Sequence, residues 1–143
     1  MIRKTIKKIL PIKKYVEVSG SIIPSRYSRC CGSEFKDDNY YLESAEKESN
    51  RLIDYFQCTQ QSRILDIGCG QGRLPIGILR VIGEINYIGI DVDLKSINWC
   101  KQYIESKHPS FKFKHLNIYN ERYNNNGIKI DRGFCFDVAE NIV

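Results

Sequence analysis

The sequence predicts an α/β fold in which strands and helices alternate to build a parallel sheet. Three short apolar segments have the length of buried strands, and longer segments with helical periodicity separate them. The order strand, helix, strand, helix, strand implies right-handed crossovers between parallel strands. A glycine-rich turn follows the first apolar segment directly, in the stretch ILDIGCGQGR from Ile64 to Arg73. We therefore expect the first half of a doubly wound fold, with three strands and their covering helices.

Composition and charge narrow the class of protein. The 143 residues are 42% hydrophobic and 27% charged, which is typical of a soluble globular domain. Lys7, Lys8 and Pro11 interrupt the apolar residues near the N-terminus, so we expect neither a secretory signal nor a membrane span, and a cytoplasmic protein. The net charge of +5 divides into +7 over residues 1–30 and −2 over the rest. This distribution indicates no nucleic-acid partner.

The cysteines predict neither a metal site nor a disulfide framework. The six cysteines include one adjacent pair, and the other four are scattered without any CxxC spacing. Zinc sites need clustered thiolates or histidines, and the chain offers only two histidines. We expect reduced thiols and no metal.

The first 41 residues form a basic segment for which the sequence predicts irregular structure, and residues 42–143 form the domain proper. Met1 to Leu10 has isoleucines and a leucine at helical spacing with lysines between them. This pattern favours a surface helix or a loose arm. The alternative is a basic amphipathic helix, with at most weak contact between residues 1–14 and an anionic membrane surface.

Periodicity and capping residues place the elements of the domain. Pro75 is tolerated in a first helical turn, Gly83 can end a helix, and Asp93 can cap the next one. The predicted elements in chain order are a helix at 42–56, a strand at 62–67, a helix at 72–82, a strand at 87–91, a helix after 93, a strand at 111–118 and a turn at 124–127.

The turn after the first strand is the default ligand site of such a sheet. A dinucleotide fingerprint requires a third glycine where this chain has Arg73, and its pyrophosphate would be repelled by Asp66. A carboxylate there suits a ligand with positive charge and no phosphate, such as S-adenosylmethionine, which carries a sulfonium and an ammonium. Asp91 ends the second strand, where an acid can accept hydrogen bonds from both hydroxyls of a ribose.

Three stretches, ILDIGCGQGR, YIGIDVD and FKFKHLNIYN, resemble motifs I, II and III of the class I S-adenosylmethionine-dependent methyltransferases. The resemblance covers residues 60–143 and implies a Rossmann-like fold with S-adenosylmethionine as cofactor. The family usually has an acid where this chain has Asn117. The cofactor-binding residues that the resemblance implies are Asp66 for the amino acid end, Gly68, Cys69, Gly70 and Gly72 for the methionyl part, Asp91 for the ribose, and Val92, Asn117 and Ile118 for the adenine.

The resemblance implies methyl transfer to an acceptor that the sequence does not identify, either a small molecule or a glycan- or lipid-linked one. It assigns no catalytic residue, because acceptor-positioning residues in this family usually lie after the fourth strand and in the N-terminal segment. The chain reaches only Phe136-Asp137-Val138, a pattern that resembles the beginning of the fourth strand. We therefore expect a domain truncated after the third strand. The alternatives are a non-catalytic remnant that acts as an interaction protein and an NAD(P)-dependent oxidoreductase.

Overall fold

A computed structural model describes residues 13–29, 32–118, 121–122 and 125–128 of the chain. The elements in chain order are β1 (Tyr15–Val18), β2 (Ser21–Pro24), a short 3-10 helix (Glu34–Lys36), α1 (Asp38–Phe56), β3 (Arg63–Ile67), α2 (Arg73–Val81), β4 (Asn86–Asp91), α3 (Leu94–Cys100) with a π-helical continuation (Lys101–Glu105), and β5 (Phe111–His115). Strands β3, β4 and β5 form a parallel sheet in that order. The predicted α/β architecture with three parallel strands is confirmed.

The helix boundaries follow from local chemistry. Gly83 adopts a positive φ of 97° just beyond α2, and its N–H donates to the carbonyl of Ile78 at 2.9 Å, as a helix stop requires. Asp93 caps α3 by accepting hydrogen bonds from the backbone N–H groups of Lys95 and Ser96. Helix α1 begins four residues earlier than the sequence predicted, because the Asp37 side chain caps it there.

The helices cover one face of the sheet. Both crossovers proceed in the same direction along the order β3-β4-β5, and right-handed crossovers then place α2 and α3 on the same side. On that face Tyr87 and Phe111 are paired neighbours and fully buried, in one cluster with Ile97 of α3. On the opposite face Leu65 is 47% exposed and Ile67 is 74% exposed. The expectation of a buried first strand therefore holds for only one face of β3.

An antiparallel hairpin, β1 and β2, lies within the segment that the sequence predicted to be irregular. Ser19 and Gly20 form its turn with φ values of 47° and 78°, the combination that a type I′ turn needs. Ile23 of β2 is fully buried in the same cluster as the sheet residues. The hairpin therefore shares the core of the sheet and helices.

The third parallel strand ends at His115, three residues before the predicted end. The N–H of Leu116 donates to the carbonyl of Asp91, and the N–H of Ile118 then turns back to the carbonyl of Leu116. The predicted helix at residues 1–10 and the Phe136-Asp137-Val138 pattern lie outside the described residues. Within the described ranges, no helix combines the length and the hydrophobicity that crossing a membrane would need.

Candidate cofactor site

The glycine loop at residues 68–72 joins β3 to α2 at the carboxyl end of the sheet. Gly68, Gly70 and Gly72 have φ values of 86°, 53° and 79°, a region in which glycine avoids the strain of a side chain. Among the described residues, a Cβ atom on Gly68 or Gly70 would meet no atom within 4 Å, whereas one on Gly72 would lie 2.6 Å from Cδ1 of Ile104. Gly72 is thus favoured by its positive φ and by its close contact with the end of the Ile104 side chain, and the first two glycines leave their backbone open to an approaching molecule.

Asp91, the last residue of β4, fixes the position of this loop. Its Oδ2 accepts a hydrogen bond of 2.7 Å from the N–H of Gly70, and its Oδ1 accepts one of 2.8 Å from the N–H of Asp93. One carboxylate therefore joins the loops that follow β3 and β4. Because each carboxylate oxygen has two lone pairs, both oxygens keep an acceptor site for a further donor.

Asp66 lies on the covered face of the sheet, next to the loop. The hydroxyl of Tyr87 donates to its Oδ2 at 2.5 Å. Burial raises the pKa of the Asp66 carboxyl; the Tyr87 hydrogen bond opposes that rise, and the charge of Asp91 adds to it. A ligand with positive charge would relieve the cost of ionising this group.

Asp66, Gly68, Cys69 and Gly70 line one cavity of about 550 Å³. We call it the loop cavity. Its other walls come from α1 and α2 and from the residues before α1, and include Arg29 and the exposed aromatic ring of Tyr55. The volume is in the range of small-molecule sites. The structure thus brings four of the predicted site residues together around one space.

Cys69 contributes backbone to the site and side chain to the core. Its N–H donates to the carbonyl of Ile90 at 3.1 Å, which holds the loop against β4. Its sulfur fills the space beside Gly89, where a Cβ atom would lie 2.9 Å away. Burial raises the pKa of the Cys69 thiol, and likewise that of Cys100. Both thiols are therefore kept protonated and unreactive.

Val92, Asn117 and Ile118 lie at or beyond the carboxyl ends of β4 and β5, outside the loop cavity. The carbonyl of Val92 accepts a hydrogen bond of 3.1 Å from Nε2 of His115, and the carbonyl of Asn117 accepts one of 2.7 Å from the N–H of Ile128. These three residues share the sheet edge of Asp91, and none of them lines the loop cavity.

Sequence analysis missed the residues that close the loop cavity from the other side. Arg29 is 8% exposed; its guanidinium donates to the carbonyl of Pro24 at 2.9 Å, pairs with Asp38 at 2.7 Å and stacks 4.7 Å from the ring centre of Tyr41. No local pattern marks an arginine that acts through such distant partners. Gln71, within the glycine loop itself, carries a buried Oε1 with no hydrogen-bond partner in the described part of the chain.

A family model described as a methyltransferase domain matches residues 64–141, more than half of the chain. The relative named "Putative methyltransferase 235L", from Invertebrate iridescent virus 6, is 32% identical over 73 residues, which are 51% of this chain and 26% of that protein. An uncharacterized protein of Methanocaldococcus jannaschii is 32% identical over 80 residues, 54% of this chain and 36% of that protein. The chain thus spans about a quarter to a third of the length of these curated relatives.

Solved structures match part of the chain as well. Coclaurine N-methyltransferase bound to N-methylheliamine and SAH is 19% identical, with a TM-score of 0.47 over 66% of this chain and 28% of that one. YJHP of E. coli is 26% identical, with a TM-score of 0.42 over 53% of this chain and 33% of that one. Because the family model covers more than half of its residues, the chain belongs to the methyltransferase domain family.

Proposed function

We propose that this chain is the cofactor-binding part of a methyltransferase that takes its methyl group from S-adenosylmethionine. The observation that carries the proposal is the open backbone at Gly68 and Gly70, which lies between the carboxylates of Asp66 and Asp91. Membership of the methyltransferase domain family supports it independently. Beside the glycine loop itself, Asp66 and Asp91 supply two carboxylates, which favour a cationic group over a pyrophosphate there, while Arg29, Arg51 and Arg73 lie in the walls of the loop cavity together with Glu48.

The residues of the loop cavity fit the methionyl end of this cofactor. Asp66 is a partly buried carboxylate for which a positive partner would favour the ionised form, and an ammonium group meets that need. Gly68 and Gly70 leave room for the chain of the ligand to lie along the backbone. Asp91 keeps one acceptor position on each oxygen for the hydroxyls of a ribose.

The adenine end would lie farther along the same sheet edge. We assign Val92 to the face of the ring, the Asn117 side chain to the exocyclic amine, and the Ile118 backbone to the edge of the base. An amide oxygen at position 117 can accept from an amine without the added strength that a charged acceptor provides.

When bound, S-adenosylmethionine supplies a methyl group on a positively charged sulfur, ready for transfer to a nucleophile. The contribution of the protein to such a reaction is mainly positioning, which can lower a barrier by roughly 7–11 kcal/mol. We assign no catalytic residue. A small molecule and a glycan- or lipid-linked group both remain candidate acceptors. The cytoplasmic location and a weak membrane contact of residues 1–14 stay predictions.

Calorimetric titration with S-adenosylhomocysteine and with NAD tests the proposal. We expect the first to bind and the second not to bind. Asp91→Asn should weaken binding by about 1.5–3 kcal/mol, the range for a lost hydrogen bond to a charged group, or roughly 10- to 150-fold. The matched control is Glu43→Gln, which removes a carboxylate from an exposed position of α1.

The outcomes separate the proposal from its alternatives. NAD binding as tightly as S-adenosylhomocysteine would favour the oxidoreductase and reject the methyltransferase assignment. Binding of neither ligand by a folded chain would favour the non-catalytic remnant. Equal losses in Asp91→Asn and Glu43→Gln would contradict the assigned role of Asp91.

A further inference from the structure

A second cavity, of about 700 Å³, lies beside the loop cavity. Three lysines line it, Lys13 and Lys14 from the start of the hairpin and Lys95 from α3. We call it the lysine cavity. Trp99 and the hydroxyl-bearing residues Ser25 and Ser28 complete much of its wall. Its volume is that of a site for a small organic molecule.

The lysine cavity carries an excess of positive charge. Among the described residues, none of the three lysines lies within 4 Å of a carboxylate oxygen. Among the described residues of the wall the one acid is Asp93, whose oxygens accept hydrogen bonds from the N–H groups of Lys95 and Ser96 and from the Ser96 hydroxyl. Asp93 is therefore committed to capping α3; its charge also acts on Lys95, and the described wall keeps three lysines against this one acid.

The two cavities adjoin each other. Gln71 and Ser96 line both of them, so a molecule in the lysine cavity would lie next to the glycine loop. The buried Oε1 of Gln71 has no hydrogen-bond partner among the described residues. An unsatisfied buried acceptor costs free energy, and an N–H or O–H group of a bound molecule would remove that cost.

We propose that the lysine cavity binds the methyl acceptor, and that this acceptor is a small organic acid with an apolar body and a carboxylate or phosphate group. The lysines would hold the acidic group, and the Gln71 side chain would turn its amide oxygen, which is buried in the empty protein, toward a donor on the part of the molecule nearest the loop. This inference rests on the proposed function, because it takes the neighbouring loop cavity as the cofactor site.

Trp99 makes the inference directly measurable. It is the single tryptophan of the chain, it lines the lysine cavity, and its Nε1 donates to the carbonyl of Lys14 at 2.9 Å. Tryptophan fluorescence of the purified chain therefore comes from the wall of this cavity. We would titrate benzoate, phenyl phosphate, inorganic phosphate and neutral benzyl alcohol, each with and without S-adenosylhomocysteine.

We expect a saturable fluorescence change with benzoate or phenyl phosphate that weakens as salt is added, and none with benzyl alcohol. Whichever of benzoate and phenyl phosphate binds more tightly identifies the acidic group of the acceptor as a carboxylate or a phosphate. Lys95→Gln should raise the dissociation constant about fivefold or more, the effect of losing one partly exposed charged contact. Lys101→Gln, at an exposed position outside the cavity wall, is the matched control and should leave the constant unchanged.

Calorimetry with S-adenosylhomocysteine on the same samples tests cofactor binding in the loop cavity separately from acceptor binding in the lysine cavity. If it binds and no organic acid changes the fluorescence, the inference is overturned and the proposed function stands. If an acid binds but S-adenosylhomocysteine does not, both the proposed function and the acceptor assignment fall. Inorganic phosphate binding as tightly as phenyl phosphate, or equal losses in the two lysine variants, would also overturn the inference.

Discussion

At the scale of single residues, Asp66 is a carboxylate in a position where folding alone disfavours charge. Burial raises its pKa, and the hydroxyl of Tyr87 compensates for only part of that effect. A carboxyl group with a raised folded-state pKa lowers stability progressively as the pH rises from its unfolded pKa to its folded pKa. A carboxylate that lowers the stability of the empty protein and lines a cavity is the kind of residue expected at a ligand site.

We predict that Asp66→Asn stabilises the empty protein at neutral pH and weakens S-adenosylhomocysteine binding. Asparagine keeps an acceptor for the Tyr87 hydroxyl and removes the buried charge. The ordinary pKa of Asp66 is 3.8, so the stability difference between the two proteins should be complete above the raised folded pKa and should vanish as the pH falls to 3.8.

Thermal unfolding of both proteins over a pH series, without ligand, measures this difference. The pKa of Glu84, which the Ser110 hydroxyl lowers, has the opposite effect on the pH dependence of stability. Glu84 is present in both proteins, so its contribution cancels in the comparison. If the Asp66→Asn protein were less stable than the parent at pH 7, the ionised Asp66 carboxylate would not destabilise the empty protein.

The glycine loop gives a second prediction at this scale. Gly70 and Gly20 both have positive φ, and a Cβ atom on either would have no atom within 4 Å. Backbone strain should therefore lower the free energy of unfolding by a similar amount in the two alanine variants, about 1–2 kcal/mol. Only Gly70→Ala should also weaken S-adenosylhomocysteine binding, because its methyl group enters the space assigned to the ligand. Denaturant unfolding and calorimetry on both variants check this, and equal affinities would place the ligand elsewhere.

At the scale of elements, α1 and α2 approach so closely that one position admits only glycine. A Cβ atom on Gly77 of α2 would lie 2.1 Å from the carbonyl oxygen of Ala45 in α1 and 2.5 Å from the hydroxyl of Ser49. The Ser49 hydroxyl itself donates to the Ala45 carbonyl at 3.1 Å and is fully buried. Any side chain at position 77 must push the two helices apart, and with them the α1 wall of the loop cavity.

We predict that Gly77→Ala lowers the free energy of unfolding by about 1–3 kcal/mol, the usual cost of overpacking. The sign is diagnostic, since in an exposed helix the same change would stabilise by about 1 kcal/mol. Asn50→Ala, at an exposed position of α1, is the matched control and should be neutral or stabilising. Urea denaturation of the two variants measures the change in the free energy of unfolding. A stabilised Gly77→Ala protein would mean that the helices are not in contact here.

The sequence predicted those elements whose determinants are local. Gly83 ends α2 and Asp93 begins α3 through hydrogen bonds to residues a few positions away. Such signals can be recognised from the sequence alone. Likewise, Asp66 and Asp91 were predicted to lie beside the glycine loop because parallel strands bring their carboxyl ends to the same edge.

The features that sequence analysis missed depend on distant partners. Ser19-Gly20 is a weaker turn signal than Asn-Gly, and the hairpin is fixed by burial of Ile23 against the core. The position of the Arg29 side chain is fixed by its hydrogen bond to the Pro24 carbonyl and by its ion pair with Asp38. The exposure of Ile67 depends on which helices cover β3, and an apolar strand pattern does not contain that information.

At the scale of the whole molecule, helices cover one face of the sheet, and the opposite face is exposed at β3 but not at Ile90 of β4, which is 4% exposed. Leu65 and Ile67 lie on the open face of β3, and the rings of Tyr55 and Phe56 at the end of α1 are each 74% exposed. Among the described residues, β3 pairs only with β4, so its other edge presents unpaired backbone groups. An apolar face beside an open strand edge promotes association between chains.

We predict that these 143 residues alone self-associate and transfer no methyl group. The sheet position beside β3 is empty among the described residues, and the loop cavity has no strand wall on that side. A single lysine on the open face, Ile67→Lys, should shift the chain toward monomer, because a charge there opposes burial between copies. Asn86→Lys, an equally charged change at an exposed position of β4, is the control and should leave association unchanged.

Size-exclusion chromatography with light scattering measures association, and release of S-adenosylhomocysteine from S-adenosylmethionine over a panel of organic acids measures transfer. A monomeric parent chain that turns over would show that the described sheet already contains the whole of the catalytic unit.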